Sequence, residues 1–199
     1  MTKNDITYED VLHFWIDDVG PTDWYTASDE LDARITKRFL PAWEAVRQAG
    51  SAPWTDTPEQ MLASAILLDQ FSRNMHRGRA EAFLLDPLAR DTVRTALARG
   101  DDAAIPAPQK QFLFLPFTHA EDMATQDEGL AHLERAMPGS PTLEHLRAHR
   151  EIIRRFGRFP FRNAALGRDT TAEEQRFMDR GGYGEILREL RAAQDEGAA

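Results

Sequence analysis

The sequence predicts an all-α protein of about seven to eight antiparallel helices joined by short turns. Three observations support this class: helix-capping patterns recur, apolar residues return at three- and four-residue intervals, and the alternation typical of strands is rare. Prolines and glycines separate the periodic segments. Helices connected in this way stack as hairpins or form an orthogonal bundle.

The first two helices are predicted from the residues at their N-termini. Thr7, with Asp10 three positions later, has the spacing of a capping box. Ser28 precedes acidic residues, which favour the positive end of a helix dipole, and an apolar stripe then continues to Gly50. Pro41 lies inside this stripe, and we expect it to kink or split the helix because proline has no amide hydrogen.

The middle of the chain contains a third strong helix start. Thr57 is followed by Pro58 and Gln60, residue types preferred at the N-cap, N1 and N3 positions. This helix should continue to about Met75. Further helical stretches are expected to end at Gly100, to follow Pro106 and Pro108, and to span residues 119–137.

The last third of the chain is predicted to hold two more helices. Thr142 opens a periodic segment that Gly157 should terminate. Thr171 and Glu174 have the spacing of another capping box. Residues 194–199 are expected to form a disordered tail, because chain ends are poorly ordered unless they are tied down.

The composition excludes several classes of protein. A length of 199 residues predicts one domain over residues 1–199. The absence of cysteine excludes disulfides, thiolate metal sites and cysteine nucleophiles. The first six residues do not resemble a signal peptide, and apolar runs such as 65–68 are too short to span a membrane, so a cytoplasmic protein is expected. No cofactor is predicted, since phosphate-loop, nucleophile-elbow and dinucleotide motifs are all missing.

The net charge of −9 is unevenly distributed. Residues 1–32 carry nine carboxylates against one lysine, whereas residues 147–168 carry seven arginines against one glutamate. An acidic protein is a poor partner for nucleic acid, and none is predicted. The alternative is that the acidic start packs on the basic segment.

Asp69, Gln70 and Arg73 continue an apolar helical stripe. Asp69 and Arg73 are four positions apart and therefore lie side by side on a helix, with Asn74 following. One interpretation is a buried ion pair that fixes helix packing. The other is that Arg73 and Asn74 line a pocket in which Asp69 orients the arginine.

Two histidine patterns have alternative interpretations. Glu121 follows Thr118 at capping-box spacing, which gives it a structural role. Alternatively, His119 serves as a general base that Glu121 orients. His145 and His149 have the four-residue spacing of metal ligands, but the sequence shows no third ligand and no metal is predicted.

The most unusual stretch alternates arginine with phenylalanine. Its phenylalanines, Phe159 and Phe161, are expected to anchor a loop in the core, which would hold Arg158 and Arg162 at fixed positions. Arginine binds carboxylate or phosphate through two parallel hydrogen bonds. Asn163 ends the stretch and offers a neutral amide.

Segments 67–74, 115–121 and 155–163, together with 11–15 and 166–171, resemble the signature blocks of the bacterial domain-of-unknown-function 924 family. The resemblance spans nearly the whole chain. It implies a tetratricopeptide-like superhelical array and no particular activity. The family usually has a histidine where this sequence has Phe161.

Three functions remain open at this point. The first is a pocket for a small phosphorylated or carboxylated ligand, with or without hydrolase- or lyase-type chemistry. The second is a tetratricopeptide-like module that binds a protein or an acidic peptide, and the third is a buried polar network with a structural role only. The predicted ligand-binding residues are Asp69, Arg73, Asn74, Arg158, Arg162 and Asn163, and the candidate catalytic pair is His119 and Glu121.

Overall fold

The structure is a computed structural model that describes residues 6–197, with side chains to residue 193. The all-α class is confirmed: 73% of the chain is helical and the described residues contain no strand. Within the described part, no helix is long and apolar enough to cross a membrane. The chain divides into two compact units, residues 1–116 and 117–199. That residues 1–199 form a single domain stays a prediction.

The helices are labelled in chain order. Those before the division are α1 (Tyr8–Leu12), α2 (Gly20–Asp23), α3 (Asp29–Ala49), α4 (Pro58–Ala65), α5 (Ser72–Met75) and α6 (Asp86–Arg99). The division falls within α7 (Leu115–Thr118). The second unit contains α8 (Met123–Ala136), α9 (Pro141–Phe156), α10 (Ala172–Asp179) and α11 (Tyr183–Gly197).

Shorter elements complete the described chain. Two π-helical segments, His13–Val19 and Ile66–Phe71, follow α1 and α4 directly. Four 3₁₀ turns lie at Ala80–Phe83, Asp101–Ala103, Gln109–Leu113 and Pro160–Arg162.

The predicted N-caps at the starts of α1, α3, α4 and α10 are confirmed. Thr7 and Thr171 each form a complete capping box with the acidic residue three positions later. Ser28 and Thr57 each accept a hydrogen bond from the third helical amide. These predictions succeed because a cap is formed by residues that are close in sequence.

Four details of the helix prediction were wrong or incomplete. Helix α3 runs unbroken through Pro41. The count of about seven to eight helices missed α2, which has only four residues, whereas α4, the second π segment and α5 together cover the helix that was predicted to continue to about Met75. The N-cap of α8 is Asp122, so Thr118 and Glu121 do not form the expected capping box. Helix α11 reaches Gly197, past the expected start of the disordered tail at 194, and residues 198–199 lie outside the described residues.

Aromatic side chains fill the core of the first unit. Phe71, at the end of the second π segment, packs edge-on against Trp15 at a centroid distance of 5.4 Å and lies 4.7 Å from Phe39. Phe112 contacts both Trp15 and Trp24. Such pairs add about 0.5–1.5 kcal/mol each beyond their burial, so this core fixes the π segments against α3.

Helix α9 is the centre of the second unit, because both α8 and α11 pack on it. Its buried face contributes Ile152 and Ile153 to a cluster completed by Phe159, Phe177 and Ile186. The helix ends at Gly157, whose φ of 68° is the left-handed conformation that glycine adopts at a C-cap. The chain then turns into the loop that contains Arg158, Arg162 and Asn163 of the predicted site.

Candidate functional site

In the first unit, the predicted pair of Asp69 and Arg73 belongs to a buried ionic group. The two side chains are 2.9 Å apart, and Arg73 also donates two 3.0 Å hydrogen bonds to Asp86. Gln70 donates a 2.6 Å hydrogen bond to the other oxygen of Asp69. We call Asp69, Gln70, Arg73 and Asp86 the Arg73 cluster. Although burial opposes its charge, the two carboxylates raise the pKa of Arg73.

Asn74 lies beside this cluster in sequence but has different partners. Its amide donates a 2.8 Å hydrogen bond to Asp32, which also accepts two hydrogen bonds from Arg77. Burial tends to raise the pKa of Asp32, but Arg77 and Asn74 outweigh this effect and lower it. Asn74 therefore ties α5 to α3.

In the second unit, Arg158 and Asn163 hold the loop after α9 against α10. Arg158 donates to both carboxylate oxygens of Glu174, at 2.6 and 2.9 Å, and Asn163 donates to Glu174 at 3.3 Å. The hydrogen bond from Arg158 is the main reason that the pKa of Glu174 falls to about 2. Only 3% of Glu174 is exposed, so its charge depends on these donors.

Glu121 fixes the other side of the same loop. Arg168 donates to both of its carboxylate oxygens, at 2.7 and 3.0 Å, and the Phe159 amide donates at 2.7 Å. Burial opposes ionisation, but these donors and the charge of Arg162 lower the pKa of Glu121. We call Glu121, Arg158, Asn163, Arg168 and Glu174 the loop network.

Arg162 lies against an aromatic ring. Its guanidinium carbon is 4.6 Å from the centroid of Phe159, and only 6% of the residue is exposed. Its positive charge lies close enough to Glu121 and His149 to lower the pKa of both. The loop thus holds a buried cation at a fixed position beside an imidazole.

That imidazole belongs to a group of rings from three elements. His149, on α9, contacts Phe159 edge-on at 5.4 Å, His119 at 5.9 Å and Tyr183 at 4.9 Å. His145 stacks on Tyr183 at 5.9 Å, and its Nδ1 shares a hydrogen bond with the tyrosine hydroxyl. We call His119, His145, His149 and Tyr183 the histidine cluster.

The tautomer of His149 follows from its backbone contact. Its Nδ1 lies 2.8 Å from the carbonyl oxygen of His145, and because a carbonyl can only accept, Nδ1 carries the hydrogen. Burial, the charge of His119 and the charge of Arg162 lower the pKa of His149 to about 3. At neutral pH the ring is therefore uncharged, and its Nε2 carries the lone pair.

The spacing of His145 and His149 does not lead to a metal site in the described part of the chain. No group of three histidine, cysteine, aspartate or glutamate side chains is placed there to hold an ion. The i, i+4 spacing instead lets the His145 carbonyl orient the ring of His149.

The structure assigns the predicted residues to separate groups. Asp69, Arg73 and Asn74 belong to the first unit. Glu121, Arg158 and Asn163 belong to the loop network, whereas Arg162 and His119 lie next to His149. Sequence analysis did not propose His149 and Tyr183 for chemistry. The only signal for His149 was its spacing from His145, which pointed to metal rather than to a base.

Comparisons with known proteins agree with the resemblance noted in the sequence. The model of a family described as bacterial protein of unknown function (DUF924) matches residues 11–182. A solved structure of a protein of unknown function from Agrobacterium tumefaciens is similar, with 38% identity and a TM-score of 0.81 over 87% of this chain and 97% of that one. No protein with a curated description matches. The chain therefore belongs to the DUF924 family of bacterial proteins.

Proposed function

We propose that the second unit binds a small carboxylated or phosphorylated ligand at Arg162 and that His149 accepts a proton from it. The ligand chemistry follows from the guanidinium, which matches two oxygens of a carboxylate or phosphate. The reaction class that fits is proton abstraction, as in a lyase or a water-activating hydrolase. The proposal assigns ligand binding to the second unit alone.

One observation carries this proposal: His149 is held as a neutral base with a defined tautomer beside a fixed positive charge. A general base must be unprotonated at the working pH and must present its lone pair in one direction. The hydrogen bond from Nδ1 to the His145 carbonyl fixes both the ring and the nitrogen that accepts the proton. Arg162 supplies the attraction that would bring an anion to that nitrogen.

The basicity of His149 must rise when a ligand arrives. A pKa near 3 makes the unliganded ring a weak base, largely because desolvation opposes its protonation. A bound anion would add negative charge beside His149 and favour the imidazolium. Proton transfer would thus be coupled to occupation of the anion site. In this proposal His119, the predicted base, is instead a neighbour whose charge helps to lower the pKa of His149.

The remaining predicted residues support the site in this proposal. Glu121, Arg158 and Asn163 hold both sides of the loop from which Arg162 projects. Asp69, Arg73 and Asn74 stabilise the first unit, because their polar groups already engage carboxylates or an amide.

We also propose the tetratricopeptide-like array that the family resemblance implies. Helices α8 and α9 pack on each other and are joined by a short turn at 137–140, which is the hairpin unit of such arrays. Helix α11 also packs on α9 and so adds a third helix to this hairpin.

The test is anion binding by the full chain. Inorganic phosphate and acetate would be titrated by NMR into the wild type and into Arg162→Gln, with Arg154→Gln as an exposed control. We expect saturable binding that Arg162→Gln weakens at least about tenfold. The imidazole ¹⁵N signals of His149 should also move toward the protonated form as phosphate binds. Equal binding by wild type and Arg162→Gln would sink the proposal.

A further inference from the structure

The loop that presents Arg162 also presents an aromatic ring to solvent. Half of Phe161 is exposed, whereas none of Phe159 is. Phe161 is the one large apolar residue in the described side chains of 117–193 that is exposed to this extent. Both phenylalanines and Arg162 come from a single stretch around the 3₁₀ turn Pro160–Arg162, so their relative placement is fixed by short-range structure.

The exposed ring is supported from beneath. Phe161 stacks on Phe159 with a centroid distance of 5.2 Å and an interplanar angle of 27°. Phe159 is itself fixed by the hydrogen bond from its amide to Glu121 and by its contact with His149. A single exposed apolar side chain needs no functional explanation. A ring held flat on a buried one, next to a proposed ligand site, is a pre-organised stacking surface.

The distance from this surface to the cation suits a small molecule. Arg162 and Phe161 lie 4.6 and 5.2 Å from the same Phe159 centroid, so the guanidinium carbon and the Phe161 ring are at most about 10 Å apart. Aromatic rings stack with centroids about 4.5–7 Å apart. A ligand ring stacked on the outer face of Phe161 would lie up to about 7 Å farther from the guanidinium, so a small ligand that also places its anionic group on Arg162 must contact Phe161 at the edge nearer to Arg162.

We propose that Phe161 determines ligand specificity and that the ligand is an aromatic anion, namely an aryl or heteroaryl group bearing a carboxylate or phosphate. This inference rests on the proposed anion site at Arg162. It favours a small molecule over a peptide, because an extended peptide needs a strip of apolar contacts and this unit offers one exposed ring.

The experiment compares anions that share a head group. Phenyl phosphate is set against methyl phosphate, and benzoate against cyclohexanecarboxylate, which has a similar size but no π face. Each is titrated by NMR into the wild type, Phe161→Leu and Phe161→Trp. Leucine keeps an apolar side chain and removes the ring, whereas tryptophan keeps a ring. Since Phe161 is half exposed, both variants should fold, and circular dichroism checks this.

We expect the wild type and Phe161→Trp to bind phenyl phosphate and benzoate about two- to tenfold more tightly than their partners. Phe161→Leu should lose this preference while its methyl phosphate affinity stays unchanged. If the wild type binds both members of each pair equally, the inference about Phe161 is wrong while the anion site stands. If none of the four anions binds, both the inference and the proposed function are wrong.

Discussion

The Arg73 cluster and the histidine cluster place polar groups in a helical core in opposite ways. In the first, a cation is enclosed by two carboxylates, and only 1% of Asp69 is exposed. In the second, an uncharged imidazole lies next to a buried cation. Breaking the first group would leave buried charges without partners, whereas the neutral base of the second is poised to respond to an anion. Both clusters place polar residues within an apolar sequence pattern. Such an interruption therefore cannot by itself distinguish a structural role from a functional one.

The largest expected effect is in the first unit. Arg73→Ala removes the partner of Asp69 and Asp86 and leaves both carboxylates buried, which should cost about 3–5 kcal/mol of unfolding free energy. Urea denaturation would measure it, with the exposed Arg79→Ala as the control. A loss below about 1 kcal/mol would mean that the cluster does not hold the first unit together.

A smaller loss is expected from the loop network. Arg158→Ala deprives Glu174 of its bidentate partner, but the amides of Asn163 and Thr171 still donate to the carboxylate. We expect a loss of about 2–3 kcal/mol in the same denaturation experiment. If the role of Arg158 is only structural, the folded Arg158→Ala variant should retain the affinity of the wild type for phosphate. A specific loss of binding with unchanged stability would instead move Arg158 into the ligand site.

The histidine cluster should appear in the pH dependence of stability. Because the pKa of His149 is lowered to about 3 in the folded protein, only the unfolded chain binds this proton below its ordinary pKa of about 6.5. The unfolding free energy should therefore fall as the pH drops from about 6.5 toward the folded pKa of about 3. Between pH 7 and pH 5 the wild type should lose about 1–2 kcal/mol more than His149→Gln. Parallel pH profiles of the two proteins would contradict the assignment of a neutral His149.

The smallest effect is expected where an ion pair is exposed. Arg154 donates to Glu151, but more than half of the Arg154 side chain is accessible and Arg155 remains as a second partner. Arg154→Ala should change the unfolding free energy by less than about 1 kcal/mol. The losses for the Arg73 and Arg158 variants are judged against this value. A large loss for Arg154→Ala would show that solvent exposure does not determine how much these ion pairs contribute to stability.

Local features of the fold could be predicted from the sequence, and long-range ones could not. The caps at Thr7, Ser28, Thr57 and Thr171 depend on residues within a few positions. The same local pattern failed at Glu121, because its oxygens bind groups 38 and 47 residues away. The π segments were missed for a related reason, since apolar periodicity in a fully buried run does not reveal one wider turn.

The site was predicted in part for the same physical reason. Arginines among phenylalanines correctly marked an unusual loop, in which Phe159 is buried as expected and Phe161 is not. The pattern could not distinguish Arg158, which pairs with Glu174, from Arg162, which lies on a ring. The tautomer of His149 depends on a carbonyl one turn earlier and on charges from other elements. Such neighbours become visible only when the chain is folded.

The second π segment has a consequence for insertions and deletions. A π turn holds one more residue than an α turn, and each residue of an α-helix rotates the following side chains by about 100°. Deleting one residue within 66–71 would therefore relax the turn to an α-helix and swing either Arg73 or the preceding core face away from its partners. This block should tolerate exchanges of side chain far better than any change in its length.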